Sequence, residues 1–212
     1  ARLTAAAAAV SGSRGGALLL AAAIAGDVPA RTRLAELLSA GNLPPELWFF
    51  RALGESGLDA LSGPLAQALD RVEPEIQLAV AAALLDLGNP AGERALAAAL
   101  AEADERALEA LEYLAEARSP ATDGLLEGAL TGTPLARDAA RIALFGRGQG
   151  EVPDLVRLFT DGDADGRVRA ARAAGRRLDA EPGLQGQDRL RTTLREALPE
   201  ADPGLQLAII EA

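Results

Sequence analysis

Cysteine, histidine, methionine and lysine are all missing from this 212-residue chain, and its aromatics are one Trp, one Tyr and four Phe. Each absence removes a class of chemistry. Without His or Cys there is no ordinary zinc site, no thiol nucleophile and no Ser–His relay. No imidazole base titrates near neutral pH. Without Lys there is neither a Schiff base nor the lysine of a phosphate loop. The chain is expected to be no enzyme and to need no cofactor. All 21 basic residues are Arg, which with abundant Ala and Gly points to a GC-rich bacterial genome, a codon argument rather than a functional one. Long apolar runs are lacking too. The stretch GGALLLAAAIAG (15–26) is too short to span a bilayer, so no membrane association and a cytoplasmic location are expected. A signal peptide ahead of Ala1 is left open.

What is present is a rhythm. Leu3, Leu34, Leu65, Leu96, Leu126, Leu155 and Leu190 recur at steps of 31, 31, 31, 30, 29 and 35 residues. A second, mostly apolar series follows four places later: Ala7, Leu38, Leu69, Leu100, Leu130, Phe159 and Leu194. Residues four apart share a helix face, so one short helix with a buried stripe is being repeated. Leu53, Leu84, Leu114 and Leu144 form another ladder, with Phe49, Val80, Ala110, Ala140 and Ala171 about a turn earlier. Each unit is therefore two helices, expected to be about 10–14 residues each. NPAGERALAAAL (89–100) and SPATDGLLEGAL (119–130) align without a gap, with Pro90 and Pro120 at the turn. Starts of the first helices are marked by PPEL from Pro44, EPEI from Glu73, DERA from Asp104, TPLA from Thr133 and ADPGL from Ala201. Acids, Thr and Pro there are N-cap and first-turn chemistry. No stretch alternates with period two, so strands are not expected.

A two-helix unit cannot bury its own apolar face and must stack on its neighbours. The Ala-rich first helices RVRAARAAGRRL (167–178), PLARDAARIALFG (134–146) and IQLAVAAALLDLGNP (76–90), with second helices such as VPDLVRLF (152–159), resemble HEAT-like repeats. They are most similar to the short bacterial variety also found in phycocyanobilin lyase subunits. The resemblance covers essentially the whole chain. It implies an all-α fold, an α-solenoid of about six stacked pairs in a right-handed superhelix. The expected units lie near 14–43, 44–72, 73–103, 104–133, 134–164 and 165–200, with partial units at both ends and an insertion, DAEPGLQGQ (179–187). The whole is expected to be a single domain and a fragment of a longer array, because no polar capping repeat closes either end.

The formal net charge is −10 and unevenly spread. Residues 73–127 hold twelve acids against three arginines, whereas 135–212 hold thirteen against twelve. Glu105, Glu109, Glu112 and Glu116 follow helical spacing and form an acidic ridge, which reads either as a solvated outer face or as a site for a basic partner. Arg169, Arg172 and Arg176 make a basic stripe two repeats later, too short to neutralise the several phosphates that nucleic-acid binding needs. DGDADG (161–166) matches the start of a calcium loop, but the twelfth position is Arg172 where a bidentate Glu is required. Asp161, Asp163 and Asp165 are expected to cap and to face solvent, so no metal is expected. GRGQG (146–150) follows a helix rather than a strand and occupies the place of Gly88-Asn89-Pro90, so it reads as a turn with glycine C-caps.

Trp48, Phe49 and Phe50 are consecutive, and consecutive helical positions diverge by about 100°. Phe49 is in register with Val80, and Phe50 precedes Leu53 by three. Trp48 aligns with Ala79 and Glu109 and is expected to be at least partly exposed, where Trp is a common interface anchor. Tyr113 is expected to be half-buried. The resemblance implies that second helices line the concave side. Positions two beyond the ladder leucines, namely Glu36, Gln67, Ala98, Gly128, Arg157 and Thr192, should then point outward. The expected function is a non-catalytic scaffold for a protein partner. The alternatives are an accessory subunit of an enzyme of the bilin-lyase kind and, less favoured, a nucleic-acid-binding HEAT-like protein, for which a basic concave face is missing.

Overall fold

The computed structural model describes residues 13–41, 46–102 and 104–212, and among these the secondary structure is helical with no strand. Thirteen α-helices follow in order: α1 Ser13–Ile24, α2 Val28–Ser39, α3 Leu47–Glu55, α4 Ser62–Ala68, α5 Pro74–Asp86, α6 Pro90–Ala101, α7 Glu105–Glu116, α8 Ala121–Ala129, α9 Pro134–Gly146, α10 Val152–Asp161, α11 Ala164–Ala180, α12 Gln187–Ala197 and α13 Pro203–Glu211. Short 3₁₀ turns at Asp59–Leu61 and Leu198–Glu200 complete the set. Ladder members Leu3 and Ala7 and the start at Pro44 lie outside the described residues.

Local chemistry explains the punctuation. Asp27, Thr133, Asp163 and Asp202 each accept a backbone N–H of the first turn of the helix they precede. Pro fills the first turn of α2, α5, α9, α10 and α13, where no donor is lost. Three first helices end identically. Gly26, Gly88 and Gly148 adopt positive φ, and the pairs Asp27 N–H to Ala22 O, Asn89 N–H to Leu84 O and Gln149 N–H to Leu144 O close the last turn. This is the paired closure in which glycine avoids a Cβ clash, and it places the turn expected at 146–150 just after Gly146, the last residue of α9.

Helices pack on their sequence neighbours and on the next but one: α1 on α2, α2 on α4, α3 on α5, α9 on α11, α10 on α12 and α11 on α13. That pattern is consistent with stacked helical pairs. The described residues divide into two compact units, those within 1–99 together with 116–122 and those within 100–115 together with 123–212. In the first unit Phe49, Leu53, Leu34, Leu65, Val80, Leu84 and Leu96 are buried. In the second, Ile142, Phe145, Leu155, Phe159, Ala171, Leu190 and Ile209 belong to one core.

The first leucine series is buried wherever described, but the second is not uniformly so. Leu100 and Leu130 are half-buried, while Ala99 and Ala129, one residue earlier, are buried. Positions three and four along a helix both neighbour the starting residue, and in α6 and α8 the stripe turns toward the former. Helix lengths are also broader than expected, from the seven residues of α4 to the seventeen of α11. Asp179 and Ala180 of the insertion extend α11, and the remainder folds back so that Leu184 enters the core.

Candidate functional site

The first turn of α3 exposes two large apolar side chains, Leu47 and Trp48, at 50% and 48% of their full surface, while Phe49 and Phe50 are completely buried. Extended backbone at Glu46 starts the helix, and the 100° step between residues then sends Phe49 and Phe50 to the core. The Trp48 ring meets Phe49 edge-on, with centroids 6.1 Å apart, and Phe49 meets Phe50 likewise at 5.5 Å. Edge-to-face pairs of this kind hold a ring's orientation. The indole is thus packed against Phe49 while about half of the residue stays open to solvent.

The register that pointed to Trp48 is only partly right. Its counterpart Ala79 is buried and Glu109 is half-buried. Leu47 is not singled out by the sequence, because its counterpart 31 residues on, Leu78, is a buried core residue.

One turn beyond Trp48, the Arg51 guanidinium donates to Glu55 at 3.3 Å and to Glu116 at 2.7 Å, and Arg118 meets Glu55 at 3.3 Å. Asp86 accepts the backbone N–H groups of Arg118 and Ser119. Glu116, a separate candidate in the sequence, is therefore tied through Arg51 to the helix that carries Trp48.

The acidic ridge is less uniform than its spacing. Glu105, Glu112 and Glu116 are exposed, and Glu109 is half-buried. Burial holds the Glu109 carboxyl above the ordinary glutamate range, with Glu112 and Glu105 adding to the shift and Arg106 opposing it. Arg169 of the basic stripe pairs with Glu112 at 3.4 Å. Ridge and stripe thus partly neutralise each other, a pairing hidden by a sequence separation of 57 residues.

The outward row is exposed at all six positions, Glu36, Gln67, Ala98, Gly128, Arg157 and Thr192. Glu36 pairs with Arg33 at 2.8 Å, and Arg157 approaches Asp154 at 3.8 Å. Tyr113 is half-buried, as its register implies. Asp163 caps α11 by accepting from Gly166 N–H at 2.7 Å, while Asp161 and Asp165 are exposed. Among the described residues no group of acidic side chains is arranged to hold a metal ion, and no helix is long and apolar enough to cross a membrane.

No family model matches the chain, and comparisons with characterised proteins and with solved structures find no match either.

Proposed function

We propose that this chain is a non-catalytic protein-interaction scaffold, a HEAT-like α-solenoid whose surface is read by a protein partner. The observation that carries the reading is Trp48, half-exposed on a turn whose other two aromatics are wholly buried. A large ring already packed against Phe49 loses little freedom on binding, and Trp is enriched among the residues that dominate interface energies. Leu47 beside it enlarges the apolar contact, and the Arg51–Glu116–Glu55–Arg118 ion pairs give it a polar border, the usual anatomy of an interface centre and rim.

The stacked pairs supply the rest of the reading. Repeated two-helix units present rows of equivalent positions, and the exposed series from Glu36 to Thr192 has small residues, Ala98 and Gly128, midway along the chain. Small side chains leave room for a helix or an extended segment to approach. The absence of His, Cys and Lys accords with a surface that binds rather than reacts.

The test is affinity capture with the chain as bait, followed by titration of each captured protein in purified form. The scaffold reading requires a saturable complex with at least one protein. Saturable binding of a tetrapyrrole, or of DNA with strong salt dependence, and of no protein would replace it.

A further inference from the structure

Two cavities in the second unit share Leu158, a half-buried residue of α10, as a common wall. The first, about 190 Å³, has a floor of buried Phe145 and Leu155 and is bordered by exposed Glu151 and Asp154. The second, about 230 Å³, runs along Leu135 and Ile142 toward Asp161 and Asp163. Pockets for whole small molecules are usually about 300–1,000 Å³. Each of these is sized for one side chain instead.

Charge selects the occupant. Five carboxylates line the two cavities (Asp138, Glu151, Asp154, Asp161 and Asp163) against three guanidiniums, Arg141, Arg157 and Arg169. Every one of the three already faces an acid: Arg141 with Asp138 at 3.2 Å, Arg157 with Asp154 at 3.8 Å and Arg169 with Glu112 at 3.4 Å. Asp163 spends one oxygen on its helix cap. Glu151 and Asp161 are exposed and enter no ion pair among the described residues. The uncompensated charge is negative and lies beside apolar wall in both cavities.

We propose that the pair of cavities seats one segment of a protein partner. An apolar side chain enters the first cavity and an arginine or lysine the second. The methylenes of the basic residue lie along Leu135 and Ile142 and its head reaches Asp161, the arrangement by which long cationic side chains combine burial with charge. This rests on the scaffold reading and specifies the chemistry of the partner.

The probe is a set of fluorescein-labelled synthetic peptides carrying one Leu and one Arg at separations of two, three and four residues, with Glu-for-Arg versions as controls. Fluorescence anisotropy at low salt should show saturable binding for at least one spacing and none for its Glu version. Asp161→Arg should weaken that binding by about tenfold or more, since like charges across a contact are strongly unfavourable. A cation at the last position of α10 suits the helix dipole, so the fold should persist. Asp70→Arg, an exposed reversal in the first unit, should change nothing. Saturation by no spacing, equal binding of the Glu peptides, or indifference to Asp161→Arg would each overturn the proposal. If a captured protein binds wild type and Asp161→Arg equally, the cavities are not its site and the scaffold reading stands. Peptide binding without any protein partner would do the opposite, keeping the site and removing the scaffold.

Discussion

At the scale of single residues, three side chains carry energy that can be measured. Thr122 is fully buried and its hydroxyl oxygen meets no hydrogen-bond partner among the described residues. A buried, unmatched polar group costs about 1–3 kcal/mol, so Thr122→Val, which keeps the shape, should stabilise the chain by about 1 kcal/mol in urea unfolding. A loss of stability would mean that the hydroxyl is satisfied. Glu109 acts through pH. Its carboxyl titrates higher in the folded chain than in the unfolded one, because burial and Glu112 disfavour its charge. The folded state therefore holds the proton more tightly, and stability falls as pH rises from the ordinary glutamate range through the raised value. Glu109→Gln should thus stabilise at neutral pH, by about 0.2–0.5 kcal/mol for each like-charged helix neighbour relieved. That gain should shrink as the solution is acidified through the carboxylate range. A gain that grew on acidification would reverse the assignment. Asp163 is a helix cap, and Asp163→Ala should cost about 1 kcal/mol. Calcium calorimetry at low millimolar concentration, about the weak limit of natural calcium sites, should give no saturable heat.

At the scale of helices, the ladder positions set stability. Leu96 and Leu126 are fully buried, and truncation of either to Ala should cost about 2–5 kcal/mol. A loss below about 0.5 kcal/mol at both would be a surface effect and would contradict the pairing. Gly92 marks a close helix approach. A Cβ there would press on the Ala81 carbonyl oxygen and come within 2.5 Å of the Leu85 backbone nitrogen. Gly92→Ala should therefore destabilise by about 1–3 kcal/mol or more despite the better helix propensity of Ala, because it overpacks α6 against α5. The helices, their starts at Glu73, Asp104 and Thr133, and the buried leucine series were legible in the sequence, since periodicity and caps are local signals. The drift of the stripe to Ala99 and Ala129 was not, because three- and four-residue spacings both serve one face. Nor was the Arg169–Glu112 pair, a contact between residues far apart in the chain. Trp48 was found through a register that holds for its neighbours better than for itself.

At the scale of the whole molecule, helices packed on their sequence neighbours and an acidic excess of charge suit the proposed reading as a surface for a protein partner. The central claim is that Trp48 belongs to that surface while Phe49 belongs to the core. One paired measurement tests it: thermal unfolding and titration with the captured partner, carried out on Trp48→Ala and Phe49→Ala together. Trp48→Ala should cost only about 0.5–1.5 kcal/mol of stability, the worth of its edge-to-face pair with Phe49, and weaken the complex by about 2 kcal/mol or more, the usual threshold of an interface hot spot. Phe49→Ala should lose about 3–5 kcal/mol of stability, as truncation of a buried Phe does. Full partner affinity in Trp48→Ala, or a stability loss there as large as that of Phe49→Ala, would contradict the account.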